Sequence, residues 1–243
     1  MLKILFSPSE GKVSGGEIIQ QTELLGSNKA REEILGSYNE IIKRADPKEI
    51  SELFGIKKAQ ECQAYLEDIF SAPKLEAIRR YSGVAYEYLA YDTLTSQAQE
   101  YLKANTIIFS NLYGPLRGSD KIANYKVKQG NSIGGIEPDK FYKDRFSYQL
   151  DLYLGKDDIL DLRAGYYDKF YKITRPYTTL KFLKNGKSVS HWAKAYRGIV
   201  LREIAKHNIQ SLEAFGKLEI EGLDVEEIKV IKNKTEIVYN IHS

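Results

Sequence analysis

The sequence predicts an α+β domain: a mixed sheet with surrounding helices and a helical hairpin lobe. Three observations carry this. Short apolar and β-branched runs bounded by turn residues recur along the chain. Stretches with helical spacing lie between them. The two kinds of segment do not alternate in a regular strand–helix–strand beat, which favours α+β over a fully wound parallel sheet.

Taken in order, residues 2–6 are an apolar run that stops at Ser7-Pro8, hence a buried strand followed by a loop through Gly16. Residues 29–44 carry Ile34, Leu35, Tyr38, Ile41 and Ile42 at helical spacing and stop before Asp46-Pro47. Residues 47–54 and 57–70 read as two short helices with Gly55 between them, and 29–70 as a lobe of one domain spanning 1–243. Residues 73–81 extend the helical region until Ser82-Gly83 breaks it, and 95–103 is another helix. Strands are expected at 106–109 and 159–162. Residues 177–183 and 188–190 flank Asn185-Gly186, a hairpin signal. A long helix over 192–206 and a closing strand over 235–241 complete the chain.

Of the 243 residues, 42% are hydrophobic, enough for a sizeable core. The single cysteine, Cys62, rules out an internal disulfide framework and suits a reducing compartment. Nothing reads as a signal peptide or approaches the roughly 20 apolar residues of a membrane span, so the expected location is the cytoplasm and no membrane partner is expected. Net charge is only +3, but it is unevenly spread. Between Arg163 and Lys206 there are eleven Lys and Arg against two acids; between Glu213 and Glu236, seven acids against four Lys. A polyanion would land on the basic stretch. The 18 tyrosines suit cleft walls and stacking surfaces, and also the edge of a core, which is the reading favoured for most of them.

Four blocks could carry chemistry. Ser7-Pro-Ser-Glu-Gly-Lys12 leaves the first strand, with Gly11 free to bend and Lys12 as a point charge; the spacing is not that of a phosphate-binding P-loop. Ser110-Asn-Leu-Tyr-Gly-Pro-Leu-Arg-Gly-Ser-Asp120, followed by Tyr125-Lys126, is expected as a folded loop. Its Arg117 either grips a phosphate or carboxylate or pairs with Asp120 to hold the loop shut. Asp161-Leu-Arg-Ala-Gly-Tyr-Tyr-Asp168 leaves the strand predicted over 159–162, and Asp161 and Arg163 either reach a cleft or pair internally. In Ser190-His-Trp-Ala-Lys-Ala-Tyr-Arg-Gly198, Ser190 is expected as the helix N-cap, while Trp192, Ala195, Tyr196, Ile199 and Ile204 bury one face. Lys194 and Arg197 lie three apart in the first turns, where the helix dipole disfavours cations; an anion held there would account for them, a solvated basic face being the other reading.

These blocks, in this order, resemble the YaaA family, and Tyr81-Ser-Gly-Val-Ala-Tyr86 with Leu89 resembles a further family motif. The resemblance spans Ser7 to Arg202. It implies a cytoplasmic protein that protects against peroxide by limiting damage from iron and hydroxyl radicals, a positively charged cleft, and DNA binding. By position it carries over Lys12, Arg117, Tyr125, Lys194 and Arg197. Two departures stand out: Lys126 where the family usually has Arg, which weakens bidentate phosphate contact, and Ala164 in place of a frequent Ser. The resemblance also implies a helix-hairpin-helix element, matched by Ile50–Ala59 with Gly55, Ile56, Lys57 and Lys58 at the turn, although the second glycine is absent.

No metal site or cofactor is expected, since His191, His207, His242 and Cys62 show no paired ligand spacing. No catalytic constellation is recognisable; Cys62 and His191 lack the context of a nucleophile and its base. The leading expectation is a stress protein that holds the DNA backbone in a basic cleft. The alternative is an enzyme acting on a phosphorylated or nucleotide-like molecule, a small anionic ligand, in that cleft.

Overall fold

Every residue of Leu2–Phe6 and of Thr106–Ser110 is buried, so two strands of this chain are covered on both faces. The structure, a computed structural model, describes residues 1–20 and 22–242. From the amino end its elements are β1 (Leu2–Phe6), α1 (Glu32–Arg44), α2 (Pro47–Phe54), α3 (Ala59–Cys62), β2 (Lys74–Glu76), α4 (Ala77–Arg80), α5 (Val84–Leu89), α6 (Ser96–Asn105) and β3 (Thr106–Ser110). There follow β4 (Gly114–Arg117), β5 (Lys121–Ala123), α7 (Pro138–Leu154), β6 (Asp158–Asp161), β7 (Tyr177–Lys184) and β8 (Lys187–Ser188). The chain closes with α8 (Ser190–Lys206), α9 (Leu212–Phe215), β9 (Leu223–Ile231) and β10 (Lys234–Ile241).

The main sheet runs β4-β3-β1-β6-β7-β10-β9, with β8 added beside β7, while β2 and β5 form a separate pair. The expected mixed sheet with surrounding helices is therefore present. Its spine, however, is parallel: β1 pairs with β3 and β6, β6 with β7, and β7 with β10. Numbered along the chain, these five strands stand in the order 2-1-3-4-5, a doubly wound arrangement. The α+β expectation missed it because about a hundred residues of helix and loop separate β1 from β3, which hides the beat.

Several elements depart from expectation. The helix predicted over 57–70 shrinks to α3 and one 3₁₀ turn, Gln63–Tyr65. Beyond it, the Asp68 side chain accepts from Phe70 N, a local turn that competes with helix. The helix predicted over 73–81 splits into β2, paired with β5, and the four-residue α4. The expected loop after β3 contains β4, antiparallel to β3. Ser190 is the first residue of α8 rather than its N-cap, and Val189 before it supplies no side-chain cap. The Asn185-Gly186 turn forms as read, with both residues at positive φ, and joins β7 to β8.

The interior is unusually phenolic. Tyr38, Tyr125, Tyr142 and Tyr171 are among the largest fully buried side chains, so their hydroxyls must find partners inside. Tyr142 donates to Leu112 O at 2.6 Å, Tyr171 to Asp151 Oδ1 at 2.6 Å, and Tyr38 accepts from Lys126 N at 3.2 Å. Ile34, Tyr38, Leu53 and Phe54 of α1 and α2 belong to the same apolar cluster as β1 and β3, so residues 29–70 share the sheet's core.

Candidate functional site

The chain leaves β1 toward β3 on one side and β6 toward β7 on the other. Such a reversal opens a crevice at the carboxyl ends of the strands, where ligands bind in doubly wound sheets. Ser7 follows β1, Ser110 ends β3 and Asp161 ends β6, so three of the sequence blocks converge there. Side chains knit them together. Ala164 N donates to Ser7 Oγ at 2.7 Å, and Tyr86 Oη to Ser7 O at 2.9 Å.

Ser110 Oγ accepts from the N–H groups of Leu112 and Tyr113 at 3.1 and 2.8 Å. It shares a 2.7 Å hydrogen bond with Tyr125 Oη, which shares another of 2.9 Å with Tyr81 Oη. Lys12 Nζ stands over these rings, 4.0 Å from the centre of Tyr125 and 5.3 Å from that of Tyr81. Lys126 Nζ reaches Glu10 Oε2 at 3.0 Å. Burial, helped by the charge of Lys126, pulls the Lys12 amine down to about 7. Burial also pushes Tyr81, Tyr86 and Tyr125 well above the phenol range, so the hydroxyl chain stays neutral. Beside it, Asn111 is buried with its Oδ1 unpaired among the described residues.

A second feature lies past the end of β6. A cavity of about 390 Å³ is lined by Asp161, Arg163, Asp168, Arg197, Lys234 and Glu236 among others. Arg163 is buried and forks onto Asp161 through two 2.8 Å bonds, Nε to Oδ1 and Nη2 to Oδ2. Its Nη1 donates to Tyr167 O and Tyr171 O, and the guanidinium lies 4.6 Å over Phe109. The two readings of this block coincide: Asp161 and Arg163 pair internally and also line the cavity. Lys234 is engaged by Glu236 at 3.0 Å. Arg197 is half-buried, and burial disfavours its charge while Asp161 and Asp168 favour it. Both acids lean on Arg163 instead, leaving Arg197 without an ion pair among the described residues.

Arg117 stands outside both features. Its Nε donates to Asp120 Oδ1 at 2.6 Å and its Nη2 to Glu23 O at 2.7 Å, while Asp120 also takes Leu25 N at 2.7 Å. The guanidinium straps residues 23–25 to the end of β4, as the second reading of that block had it. Lys194 is exposed on α8, whereas Arg197, one turn on, faces the cavity, so the two do not share one site. At the Gly55 turn, Lys57 and Lys58 are exposed.

A protein-family model described as peroxide stress protein YaaA matches residues 2–229. The chain belongs to the peroxide stress protein YaaA family. An uncharacterised protein of Campylobacter jejuni is 44% identical over 99% of each chain. UPF0246 proteins of Fusobacterium nucleatum and Corynebacterium efficiens are 28% and 31% identical, the first over 92% of this chain and 93% of its own, the second over 83% and 84%.

The family blocks thus contribute residues to two features, while Arg117 and Lys194 lie outside them. The motif Tyr81–Tyr86 brings Tyr81 and Tyr86 to the hydroxyl network, and Asp168 ends the third block. Lys234 and Glu236 escaped notice because only tertiary folding brings β10 to the end of β6. Among the described residues, no group of three His, Cys, Asp or Glu could hold a metal ion, and no helix is long and apolar enough to cross a membrane.

Proposed function

We propose that this chain acts in peroxide stress by binding DNA through its phosphate backbone and limiting iron-dependent oxidative damage where it is bound. The observation that supports this most is the Gly55 turn between α2 and α3. The N–H groups of Ile56, Lys57 and Lys58 find no acceptor among the described residues. Ser51 Oγ holds the turn by donating to Ile56 O at 2.7 Å. Lys57, Lys58 and Lys128 are exposed around it, and the Lys128 stem packs on Gly55, where an added Cβ would meet Lys128 Cδ at 2.6 Å. Free backbone donors ringed by cations bind phosphate without reading bases.

The test is duplex affinity measured across a salt series. A steep loss of affinity with salt is expected, and replacing Lys57, Lys58 and Lys128 by Ala should lower the log–log slope by about one per lost contact. Bound DNA should also show fewer strand breaks under ferrous iron and peroxide than the same DNA with the triple variant. Salt-independent binding, or none at low salt, sinks the reading.

A second reading has its own support in Arg197. An unpaired, half-buried guanidinium facing a cavity of about 390 Å³ suits a phosphorylated or nucleotide-like small molecule, and an enzyme acting on one. Thermal stabilisation by nucleotides but not by DNA, lost in Arg197→Gln, would favour it.

A further inference from the structure

The two edges of the main sheet are finished differently. At one end, β4 is short, carries Pro115, which has no N–H to offer, and is buried beneath α7. At the other end stands β9, nine residues long, with β10 as its only strand neighbour among the described residues and all but Leu223 and Lys229 exposed. Val225, Ile228, Val230 and Ile231, each more than half exposed, put four of the twelve exposed large hydrophobic residues among the described ones on this one strand. An open edge of this length and apolarity is a template for another strand.

The charges on β9 say which strand. Glu227 and Lys229 point to the same face, two residues apart, and already pair at 2.9 Å. A second copy of β9, laid antiparallel about a two-fold axis at Ile228, places Glu227 of each chain opposite Lys229 of the other. The two existing pairs then close into a square of alternating charge, with Ile228 against Ile228 on the other face. Shifting the axis one residue either way sets Lys229 on Lys229 or Glu227 on Glu227. The bulge at Glu226, which lies between the residues facing Val238 and Tyr239 of β10, falls outside this central stretch.

We infer that β9 pairs with β9 of a second copy of this chain, continuing the sheet across a two-fold axis at Ile228. Contact along one strand is small for a protein interface, so the dimer should be concentration-dependent, with a dissociation constant from about 10 μM to 1 mM.

Sedimentation velocity on wild type, Glu227→Lys, Lys229→Glu and the double exchange tests this. Either single change puts four like charges in the square and should weaken dimerisation tenfold or more. The double exchange restores alternation and should restore the dimer. Mixing the two single variants should give a heterodimer, since each supplies what the other lacks. Both side chains are half-exposed, so folding is not at stake, and circular dichroism checks it. Wild type that stays monomeric at about 1 mM, or single variants that dimerise as wild type does, overturns the inference.

Discussion

Arginine shows how residue type and residue role part company in this chain. Arg117 pairs with an acid three positions along, within a turn the sequence announces, so its pairing was one of two legible outcomes. Arg31 and Arg80 looked like ordinary helix residues, yet both are fully buried and spend their guanidiniums on backbone carbonyls. Arg31 donates to Tyr113 O at 2.8 Å and Pro115 O at 2.7 Å; Arg80 donates to Val13 O at 2.6 Å and Gly15 O at 2.9 Å. Their planar forks tie loops to the sheet, and no local pattern reveals such long-range acceptors. Lys12 was legible as a cation but not as a perturbed one, because Tyr81 and Tyr125 reach it from far along the chain. Its amine, at about 7 against an ordinary 10.5, binds fewer protons in the native state than in the unfolded chain between those values. Stability should therefore rise with pH from 7 to 10.5 on its account, with the penalty of its charge fully present below 7. Denaturant unfolding of wild type and Lys12→Met across that range checks this: the difference between them should climb in favour of wild type from pH 7 upward and stay flat below it. Parallel curves would show that Lys12 is not the titrating group.

At the scale of elements, helices with ordinary patterning were the readable ones and aromatic ones were not. α1 was found from Ile34, Tyr38 and Ile41, with its boundary set by Asp46-Pro47. α7 went unread although Pro138 starts it and Tyr142, Phe146, Leu150 and Leu154 recur every four residues; acids and lysines between them blur the stripe. β9 escaped the periodicity because its apolar–polar alternation changes phase at the bulge, between Val225 and Ile228. Two glycines of the family blocks prove to be packing devices. Gly114 sits at φ +68° with the Tyr142 ring against its Cα. Gly198 lets α8 lie on the backbone of α5, where an added Cβ would collide with the carbonyl of Ala85. Backbone cannot swing aside as a side chain can, so Gly198→Ala should separate the two helices and cost about 2–3 kcal/mol, read as a lower urea midpoint at unchanged m-value. A variant as stable as wild type would mean that α5 shifts freely, and the α5–α8 contact would then not fix the Tyr86 end of the hydroxyl network.

For the whole molecule, the strands at both flanks of the crevice were legible, since β1, β3 and β6 are compact apolar runs between turn signals. Their order was not. Parallel pairing is set by crossovers, and the crossover from β1 to β3 contains α1 to α6, whose helices looked self-sufficient enough to be a lobe. The contacts argue otherwise. Tyr38 Oη accepts from Lys126 N, Ser37 Oγ donates to Ile133 O, and Leu53 O accepts from Lys128 N, all across to the segment after β5. Within the segment, α2 has eight residues and α3 four, below the length at which isolated helices hold in water. Residues 29–70 expressed alone should therefore show little helical circular dichroism and no cooperative melt, whereas the full chain should unfold in one transition by calorimetry. The same dependence ties the Gly55 turn to the sheet: Lys128, which packs on that turn, is two residues from the Lys126 that closes over Glu10 beside the strand ends. Weakening that segment, by Asn131→Ala at the bond to Glu52 O, should loosen the turn and lower DNA affinity without removing a positive charge, leaving the salt slope unchanged.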